Sequence, residues 1–271
     1  MGRRTVLGPS LAMIPLPPAV ESPVSFEEFP ARAYIDKYYA DVGPENAAFL
    51  GALTSFARDL EPRLGRVAEL GGGPVVLSIL ALAAACGRRP EAVLFGDIAP
   101  ANLVEVRRWL ADEPGAFGYH AALEWLRAST GADPRALAAS VRSAHWDLRR
   151  MDLRQPVARE LEGRFDTISS HFFAESATSE PEEFVAFLGR IARLAAPGAT
   201  VFLSFIAGST GYPVAGRTYP AVTLDPESLL GELGRAGLSF EHFRLQSAPT
   251  ECAPAETGYD GLIFVAGRLP A

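Results

Sequence analysis

The chain contains few of the residues that build metal centres and disulfide frameworks. Two of its 271 residues are cysteine, Cys86 and Cys252, and they lie too far apart in sequence to form a metal or redox motif. The four histidines are scattered, so the sequence shows no zinc-ligand spacing. We therefore expect a protein without disulfides and without a bound metal, which is typical of the cytoplasm.

The chain also lacks a surplus of positive charge and a long apolar segment. Its 25 basic and 32 acidic residues give a formal net charge of −7, which disfavours a nucleic-acid partner. The longest apolar run, residues 74–86, is shorter than the roughly 20 residues that cross a bilayer. Near the start, Pro9, Pro15, Pro17 and Pro18 interrupt the apolar stretch that a signal peptide needs. The sequence thus predicts a cytoplasmic protein with neither a nucleic-acid nor a membrane partner.

Apolar strand patterns and helical patterns alternate along most of the chain, which is typical of an α/β fold. Strands are predicted at 66–70, 92–97, 142–147, 165–170, 199–206, 238–245 and 261–267. Helices are predicted at 75–86, 100–111, 118–129, 133–140, 182–195 and 225–236. The last two strands have no helix between them, so we expect a mostly parallel sheet that ends in an antiparallel hairpin. One domain is predicted: residues 1–25 extended or disordered, 26–64 a helical cap, and 65–271 the core.

A glycine-rich turn follows the first predicted strand, and an acid ends that strand and the next one. The turn consists of Gly71, Gly72 and Gly73. Glu69 precedes it, and Asp97 ends the second strand. Ligands of open α/β sheets bind beyond the carboxyl ends of the strands, and glycines let them approach the backbone. A dinucleotide fingerprint fails at Val76, and the Gly-Lys-Ser/Thr of a phosphate loop is missing.

A nucleoside without phosphates, S-adenosylmethionine, fits this pattern better. Asp97 is expected to accept hydrogen bonds from the ribose hydroxyls, Glu69 to contact the amino-acid end, and Asn102 to reach the ribose. Asp147 is the predicted adenine-side acid, and Asp152 is its competitor. The predicted site is completed by Ile98, Leu148 and Ser170. The alternative is that Asp97 only caps the following helix.

Several segments resemble the nicotinamide, phenylethanolamine and thioether (indolethylamine) methyltransferase family. They are Tyr-Ile-Asp-Lys-Tyr-Tyr at 34–39, Gly-Asp-Ile-Ala-Pro-Ala-Asn-Leu at 96–103, and Arg-Trp-Leu-Ala-Asp-Glu-Pro-Gly-Ala-Phe at 108–117. Residues 170–176 and 208–212 resemble bacterial members of the family. The resemblance implies a Rossmann-like class I methyltransferase fold, with a seven-stranded, mostly parallel sheet, an antiparallel last strand and an N-terminal helical cap.

The resemblance also implies roles for the cap tyrosines. Tyr34 and Tyr39 match family positions that fold over the cofactor, where aromatic faces attract a sulfonium cation. The alternative is that these rings only pack the cap on the core. Family members that methylate amines carry an acid at the end of the strand after residues 197–198. Here that position is Phe205 or, with a one-residue slip, Ser204, so amine specificity is not implied.

The predicted function is S-adenosylmethionine-dependent methylation of a small molecule, in bacterial secondary metabolism, by a monomer or homodimer. Such a transfer needs chiefly alignment and desolvation. His171, Glu175 and Tyr212 are the candidate catalytic residues at the substrate mouth, and His171 and Glu175 each have a structural alternative. Two other functions remain open. One is internal cyclisation of the cofactor to azetidine-2-carboxylate and methylthioadenosine, and the other is cofactor binding without turnover.

Overall fold

A computed structural model describes residues 25–249 and 258–271 of the chain. The predicted N-terminal segment, residues 1–25, lies outside this part of the chain except for Ser25. Strands of the main sheet are, in chain order, β1 (Arg66–Leu70), β2 (Ala92–Asp97), β3 (His145–Arg150), β4 (Phe165–His171), β5 (Ala195–Ala207), β8 (Glu241–Pro249) and β9 (Gly261–Arg268). Two short strands, β6 (Gly211–Val214) and β7 (Arg217–Pro220), pair only with each other.

The main sheet has seven strands in the order β3-β2-β1-β4-β5-β9-β8. The first five in this order are parallel, whereas β9 runs antiparallel to both β5 and β8. The order reverses between β1 and β4, and this switch point is where open α/β sheets place their ligands. The predicted sheet and its antiparallel last strand are confirmed.

Helices cover both faces of the sheet, and a short cap precedes it. They are a 3₁₀ turn (Phe26–Glu28), α1 (Ala31–Tyr38), α2 (Pro44–Leu60), α3 (Leu77–Cys86), α4 (Pro100–Leu110), α5 (His120–Thr130), α6 (Pro134–Arg142), α7 (Pro181–Leu194) and α8 (Pro226–Arg235). Over the described ranges, none of these helices has both the length and the apolarity to cross a membrane.

Proline sets the start of most of these helices. Pro44, Pro100, Pro134, Pro181 and Pro226 each occupy the first turn of a helix. At that position the missing N–H has no helical partner to lose, and the fixed φ angle already suits a helix. This local signal is why the predicted helix starts lie close to the observed ones.

Alternating side chains divide the core into two layers, one on each side of the sheet. Val67 and Val93 belong to the layer under α2 and α3, whereas Ala68 and Leu94 belong to the layer under α7 and α8. Successive residues of a strand point to opposite faces, so neighbouring residues enter different layers. The helix α3 is buried along nearly its whole length, because α2 covers it from outside.

One local prediction was wrong. The strand predicted at 142–147 begins at His145, because α6 continues to Arg142. The β6–β7 hairpin lies at residues 211–220, where neither a strand nor a helix is predicted. Pro213 and Pro220 disfavour a strand prediction here. Each strand of the hairpin pairs on one side only, so a proline is tolerated where no backbone N–H is needed for pairing.

Candidate functional site

A cavity lies at the carboxyl ends of β1, β2 and β4, beside the switch point of the sheet. We call it the first cavity. Gly71, Gly73 and Asp97 line its base, and Met151 and Phe173 are among its apolar walls. Further lining residues are Phe26, Phe29, Tyr34, Ile98, Asn102, Asp152, Leu153, Phe172, Phe187 and Tyr212. A mainly apolar cavity with a few convergent polar groups is the usual form of a small-molecule site.

The turn after β1 can be built only from glycine at two of its positions. Gly71 has φ +61°, and a Cβ atom there would collide with the ring of Phe173. A Cβ atom on Gly72 would lie 2.5 Å from Cζ of Phe95. The turn therefore brings bare backbone to the edge of the cavity while aromatic rings pack tightly behind it.

Asp97 organises the polar end of the first cavity. Its Oδ1 accepts hydrogen bonds from the amide of Ala99 at 2.8 Å and from Nδ2 of Asn102 at 3.0 Å. Its Oδ2 accepts from the amide of Gly73 at 2.9 Å, which ties β2 to the glycine turn. Burial raises the pKa of this carboxyl above its ordinary value, and the three hydrogen bonds oppose that shift.

The same end of the cavity has unused hydrogen-bond acceptors. Oδ1 of Asn102 is buried and has no hydrogen-bond partner among the described residues. Each oxygen of Asp97 has two lone pairs, and three of these four acceptor positions are used, so Oδ2 can accept one further hydrogen bond. Two neighbouring acceptors that face a cavity suit a ligand with hydroxyl donors.

A second cavity adjoins the first and shares four lining residues with it. The shared residues are Tyr34, Phe172, Ser176 and Tyr212. The remaining walls are Tyr38, Tyr39, Glu45, Ile206, Ser209 and Tyr259. Five tyrosines thus surround this space, and Glu45 contributes the one charged side chain among the described residues that line it.

Glu45 reaches the second cavity from the first turn of α2. Its Oε2 accepts a hydrogen bond from the hydroxyl of Tyr259 at 2.7 Å, which joins the cap to the start of β9. Burial raises the pKa of Glu45 above its ordinary value, and the Tyr259 bond lowers it in part. A carboxylate in the first turn is also stabilised by the helix dipole.

The cap and the β6–β7 hairpin meet beside both cavities, and we call the residues of this contact the roof. They are Phe29, Lys37, Tyr38, Tyr212, Pro213 and Tyr219. Rings of Phe29 and Tyr219 lie 5.1 Å apart, and those of Tyr212 and Tyr219 lie 5.3 Å apart. Lys37 and Tyr38 both donate to the carbonyl of Pro213, at 3.0 and 3.1 Å. Tyr34 packs beneath, with its ring 4.9 Å from that of Tyr38.

Comparison with known proteins identifies the family. A model of the NNMT/PNMT/TEMT family matches residues 19–269. The chain belongs to this family. Nicotinamide N-methyltransferase of Sus scrofa is 24% identical over 204 residues, which cover 74% of this chain and 75% of that protein. Phenylethanolamine N-methyltransferase of Macaca mulatta is 26% identical over 263 residues, which cover 89% of this chain and 88% of that protein.

Solved structures agree with the fold. The N-methyltransferase NodS from Bradyrhizobium japonicum WM9, in complex with S-adenosylhomocysteine, has a TM-score of 0.52 at 12% identity and covers 87% of this chain and 93% of NodS. The DhpI–SAH complex has a TM-score of 0.52 at 14% identity and covers 89% of this chain and 91% of DhpI. At such identities these likenesses show the fold alone. With the family match, they establish this methyltransferase as an S-adenosylmethionine-dependent enzyme of the class I fold that acts on a small molecule.

The structure brings eight of the predicted site residues of the methyltransferase to the walls of the two cavities. They are Tyr34, Tyr39, Gly71, Gly73, Asp97, Ile98, Asn102 and Tyr212. The rings of Tyr34 and Tyr39 also lie 5.8 Å apart, centroid to centroid. Gly72 packs behind the turn against Phe95 rather than lining a cavity.

His171, predicted at the substrate mouth, lies in a hydrogen-bond chain within the sheet. Its Nε2 is 2.9 Å from Oγ of Ser169, and its Nδ1 is 2.8 Å from Oγ of Ser204. Burial lowers its pKa to about 3, so the ring is neutral at physiological pH. Neither cavity is lined by His171. Both ring nitrogens of His171 are thus engaged by serine hydroxyls, as expected for a histidine with a structural role.

Glu69 lies on β1, in register with Ser169 of β4. Its side chain is buried, and Oε2 has no hydrogen-bond partner among the described residues. Burial raises its pKa to about 8. It lines neither cavity, so direct contact with a ligand there would require movement of the turn.

Glu175 is fully buried behind the second cavity. Its Oε1 accepts from the amide of Ile206 at 3.0 Å, and its carbonyl accepts from the amide of Val222 at 2.8 Å. Its Oε2 has no hydrogen-bond partner among the described residues, and burial raises its pKa to about 7. Ser176 lines both cavities, whereas Glu175 lines neither. The side chain of Glu175 therefore contacts the protein backbone and not the cavities.

Asp147 and Leu148 were predicted beside the adenine, but the structure places both within β3 and away from the cavities. Asp147 pairs in register with Leu94 and forms an ion pair with Arg149 at 2.8 Å. The predicted strand ended three residues too early, so its acid fell in the middle of the real strand. The competing acid Asp152 lies beyond the strand and lines the first cavity.

The remaining predicted positions, Ser170, Ser204 and Phe205, line neither cavity. Ser170 is buried, and its hydroxyl donates to the carbonyl of Leu70 at 2.9 Å. Ser204 is occupied by the bond to His171, and Phe205 packs against Phe184 in the core with ring centroids 5.9 Å apart. The residue of β5 that lines the second cavity is Ile206. Strand β5 therefore contributes no acidic side chain to this cavity.

Sequence reasoning missed Glu45 and Tyr259 as site residues. Glu45 looks like an ordinary acid in the first turn of a helix, and Tyr259 lies just before β9, 214 residues further along the chain. Neither has a local signal, because only the packing of α2 on β9 brings them together. Phe173 and Met151 were missed as well, although Phe173 follows a predicted strand and could have been considered.

Proposed function

We propose that this methyltransferase holds the nucleoside of S-adenosylmethionine in the first cavity and a small acceptor molecule in the second. The observation that carries the proposal is the shared wall of Tyr34, Phe172, Ser176 and Tyr212, which joins the two spaces. A donor and an acceptor in adjoining cavities can meet without crossing solvent, and such positioning supplies much of the rate of a transfer reaction.

Residues of the first cavity fit a nucleoside. The unpartnered Oδ1 of Asn102 and the one remaining lone pair on Oδ2 of Asp97 can each accept from one hydroxyl of a ribose diol. Gly71 and Gly73 give the ligand access to backbone, and Met151 and Phe173 provide an apolar slot for a base. When bound, S-adenosylmethionine supplies a methyl group that is already activated on a sulfonium.

Three tyrosines that line the second cavity, Tyr34, Tyr39 and Tyr212, would exclude water and align the acceptor. Burial raises the pKa values of Tyr34, Tyr39 and Tyr212 above the ordinary value, so their hydroxyls stay protonated at neutral pH. They can donate hydrogen bonds and present their ring faces, but they do not act as bases there. We infer that the acceptor arrives as a competent nucleophile and that the protein orients it rather than deprotonating it.

Internal cyclisation is the second candidate, since a cofactor that reacts with itself needs no acceptor. The second cavity favours transfer, because its tyrosines and Glu45 would have no ligand to contact in a cyclase. Product analysis tests this: the protein is incubated with S-adenosylmethionine and a panel of small acceptors, and the nucleoside products are quantified by mass spectrometry. We expect S-adenosylhomocysteine that appears only with an acceptor. Acceptor-independent methylthioadenosine would establish cyclisation, and tight binding without any product would establish a silent binding protein.

The biological setting stays a prediction. Residues 170–176 and 208–212 support a role in bacterial secondary metabolism through their resemblance to bacterial family members. A cytoplasmic location, a monomer or homodimer, and the lack of nucleic-acid and membrane partners and of a metal are proposed from composition. Size-exclusion chromatography with light scattering would determine the oligomeric state.

A further inference from the structure

The 3₁₀ turn Phe26–Glu28 is tied to two other elements through consecutive acids. Glu27 forms an ion pair with Arg150, the last residue of β3. Glu28 forms one with Arg217, the first residue of β7, at 3.3 Å between Oε2 and Nη2. The residue after Arg150 lines the first cavity, and so does one residue of the hairpin that contains Arg217. The turn therefore connects the end of β3 to the hairpin beside this cavity.

Aromatic residues flank these two acids and line the first cavity. They are Phe26 and Phe29, whose rings lie 5.2 and 5.1 Å from the ring of Tyr219. None of the three residues of the turn is buried, and so short a 3₁₀ segment has little stability of its own. Its position therefore depends on contacts with other elements, and the two ion pairs supply such contacts on both sides.

We propose that Glu27 and Glu28 are positioning residues that keep Phe26 and Phe29 closed over the bound donor, so that donor affinity decreases as ionic strength rises. The inference rests on the proposed place of the nucleoside in the first cavity. The four charged side chains are 48% to 76% exposed, so each pair favours the closed turn by no more than about fivefold. Exposed pairs of this kind are screened by salt.

S-adenosylhomocysteine is a suitable probe, because it carries one ammonium and one carboxylate at pH 7 and has no net charge. Its own attraction to a charged protein changes little with ionic strength, so a salt-dependent affinity reports ion pairs within the protein. The probe is titrated by calorimetry at about 0.01 M and about 0.5 M sodium chloride, and we expect the wild-type affinity to fall at least about threefold between the two.

Removing both acids should abolish this salt dependence. Glu27→Gln combined with Glu28→Gln should bind the probe at least about threefold more weakly than the wild type at low salt, and lose less than about 1.5-fold more at high salt. A wild-type affinity that does not change with salt, or a double variant that keeps the wild-type salt dependence, would overturn the proposal.

Reversing the charges tests one pair directly. Glu27→Arg alone should weaken binding, because two guanidinium groups then face each other. Adding Arg150→Glu should return the affinity to within about threefold of the wild type, since the pair is restored with its charges exchanged. A swapped protein that binds no more tightly than Glu27→Arg would refute the role of this pair.

A matched control removes two acids elsewhere. Glu182 and Glu232 form exposed ion pairs with Arg235, at 2.8 and 2.7 Å, and line neither cavity. Glu182→Gln combined with Glu232→Gln should keep the wild-type affinity and salt dependence, and an effect equal to that of the cap variant would overturn the proposal in favour of overall charge. Circular dichroism confirms the fold of each variant. Failure of the wild type to bind S-adenosylhomocysteine at either salt concentration would instead refute the proposed function.

Discussion

Replacing Asp97 with alanine tests the central assignment of the first cavity. Asp97 accepts hydrogen bonds from Gly73, Ala99 and Asn102, and the nucleoside assignment adds one ribose hydroxyl to these donors. Loss of a hydrogen bond to a charged group costs about 1.5–3 kcal/mol. We therefore expect Asp97→Ala to weaken the binding of S-adenosylhomocysteine by roughly 10- to 150-fold.

The substitution also affects the protein without ligand. Two backbone amides and the Asn102 side chain lose their acceptor, so the free energy of unfolding should fall by about 1–3 kcal/mol. Binding is therefore measured by calorimetry well below the unfolding temperature, with circular dichroism to confirm the fold. These two readouts separate loss of the ribose contact from loss of structure.

Two neighbouring acids provide matched controls. The carboxylate of Asp147 is 39% exposed and pairs with Arg149 away from the cavity, so Asp147→Ala should leave the affinity unchanged. Asp152 lines the cavity, so Asp152→Ala should weaken binding by a few-fold at most, since its Oδ1 already accepts from the amide of Arg154. A folded Asp97→Ala protein with wild-type affinity would refute the ribose assignment, and a loss in Asp147→Ala would refute the placement of β3.

Three further substitutions follow from the site. Burial raises the pKa of Glu69 to about 8, so the folded protein retains a proton that the unfolded chain releases above about pH 4.5. Stability should therefore decrease from about pH 5 to pH 8, and urea unfolding across this range should show a smaller decrease in Glu69→Gln; an unchanged slope would contradict the shift. His171→Gln should lower the free energy of unfolding by about 1–3 kcal/mol but change kcat less than threefold, whereas a general base would lose about 100-fold or more. Tyr39→Ala should reduce turnover, measured as S-adenosylhomocysteine release, more than it lowers the unfolding temperature; equal losses would indicate packing alone.

Where the signal was local, the structure brings the predicted residues together. The glycine turn, Asp97 and Asn102 lie within 32 residues of one another and depend only on strand ends and a helix start. The sheet order places them together, as expected for adjacent parallel strands. The helix starts were equally accessible, because proline in the first turn acts within a few residues.

Prediction failed where long-range packing decides the outcome. Asp147 was misplaced by a strand boundary that depends on where α6 ends. His171 and Glu175 were predicted as catalytic residues at the substrate mouth. In the structure His171 is hydrogen-bonded to Ser204 and Glu175 to the amide of Ile206, and neither lines a cavity. The contact of Glu45 with Tyr259 arises only when α2 packs on β9, which no periodicity in either segment could reveal.

The roof has a kinetic consequence. The cap and the hairpin cover both cavities, and Lys37, Tyr38 and Pro213 join them directly. If ligands enter between the cap and the hairpin, each catalytic cycle has to break these contacts at least once. Opening of such lids commonly limits turnover in enzymes with easy chemistry. Loosening the Lys37 contact would then speed product release and, at the same time, admit water to the site.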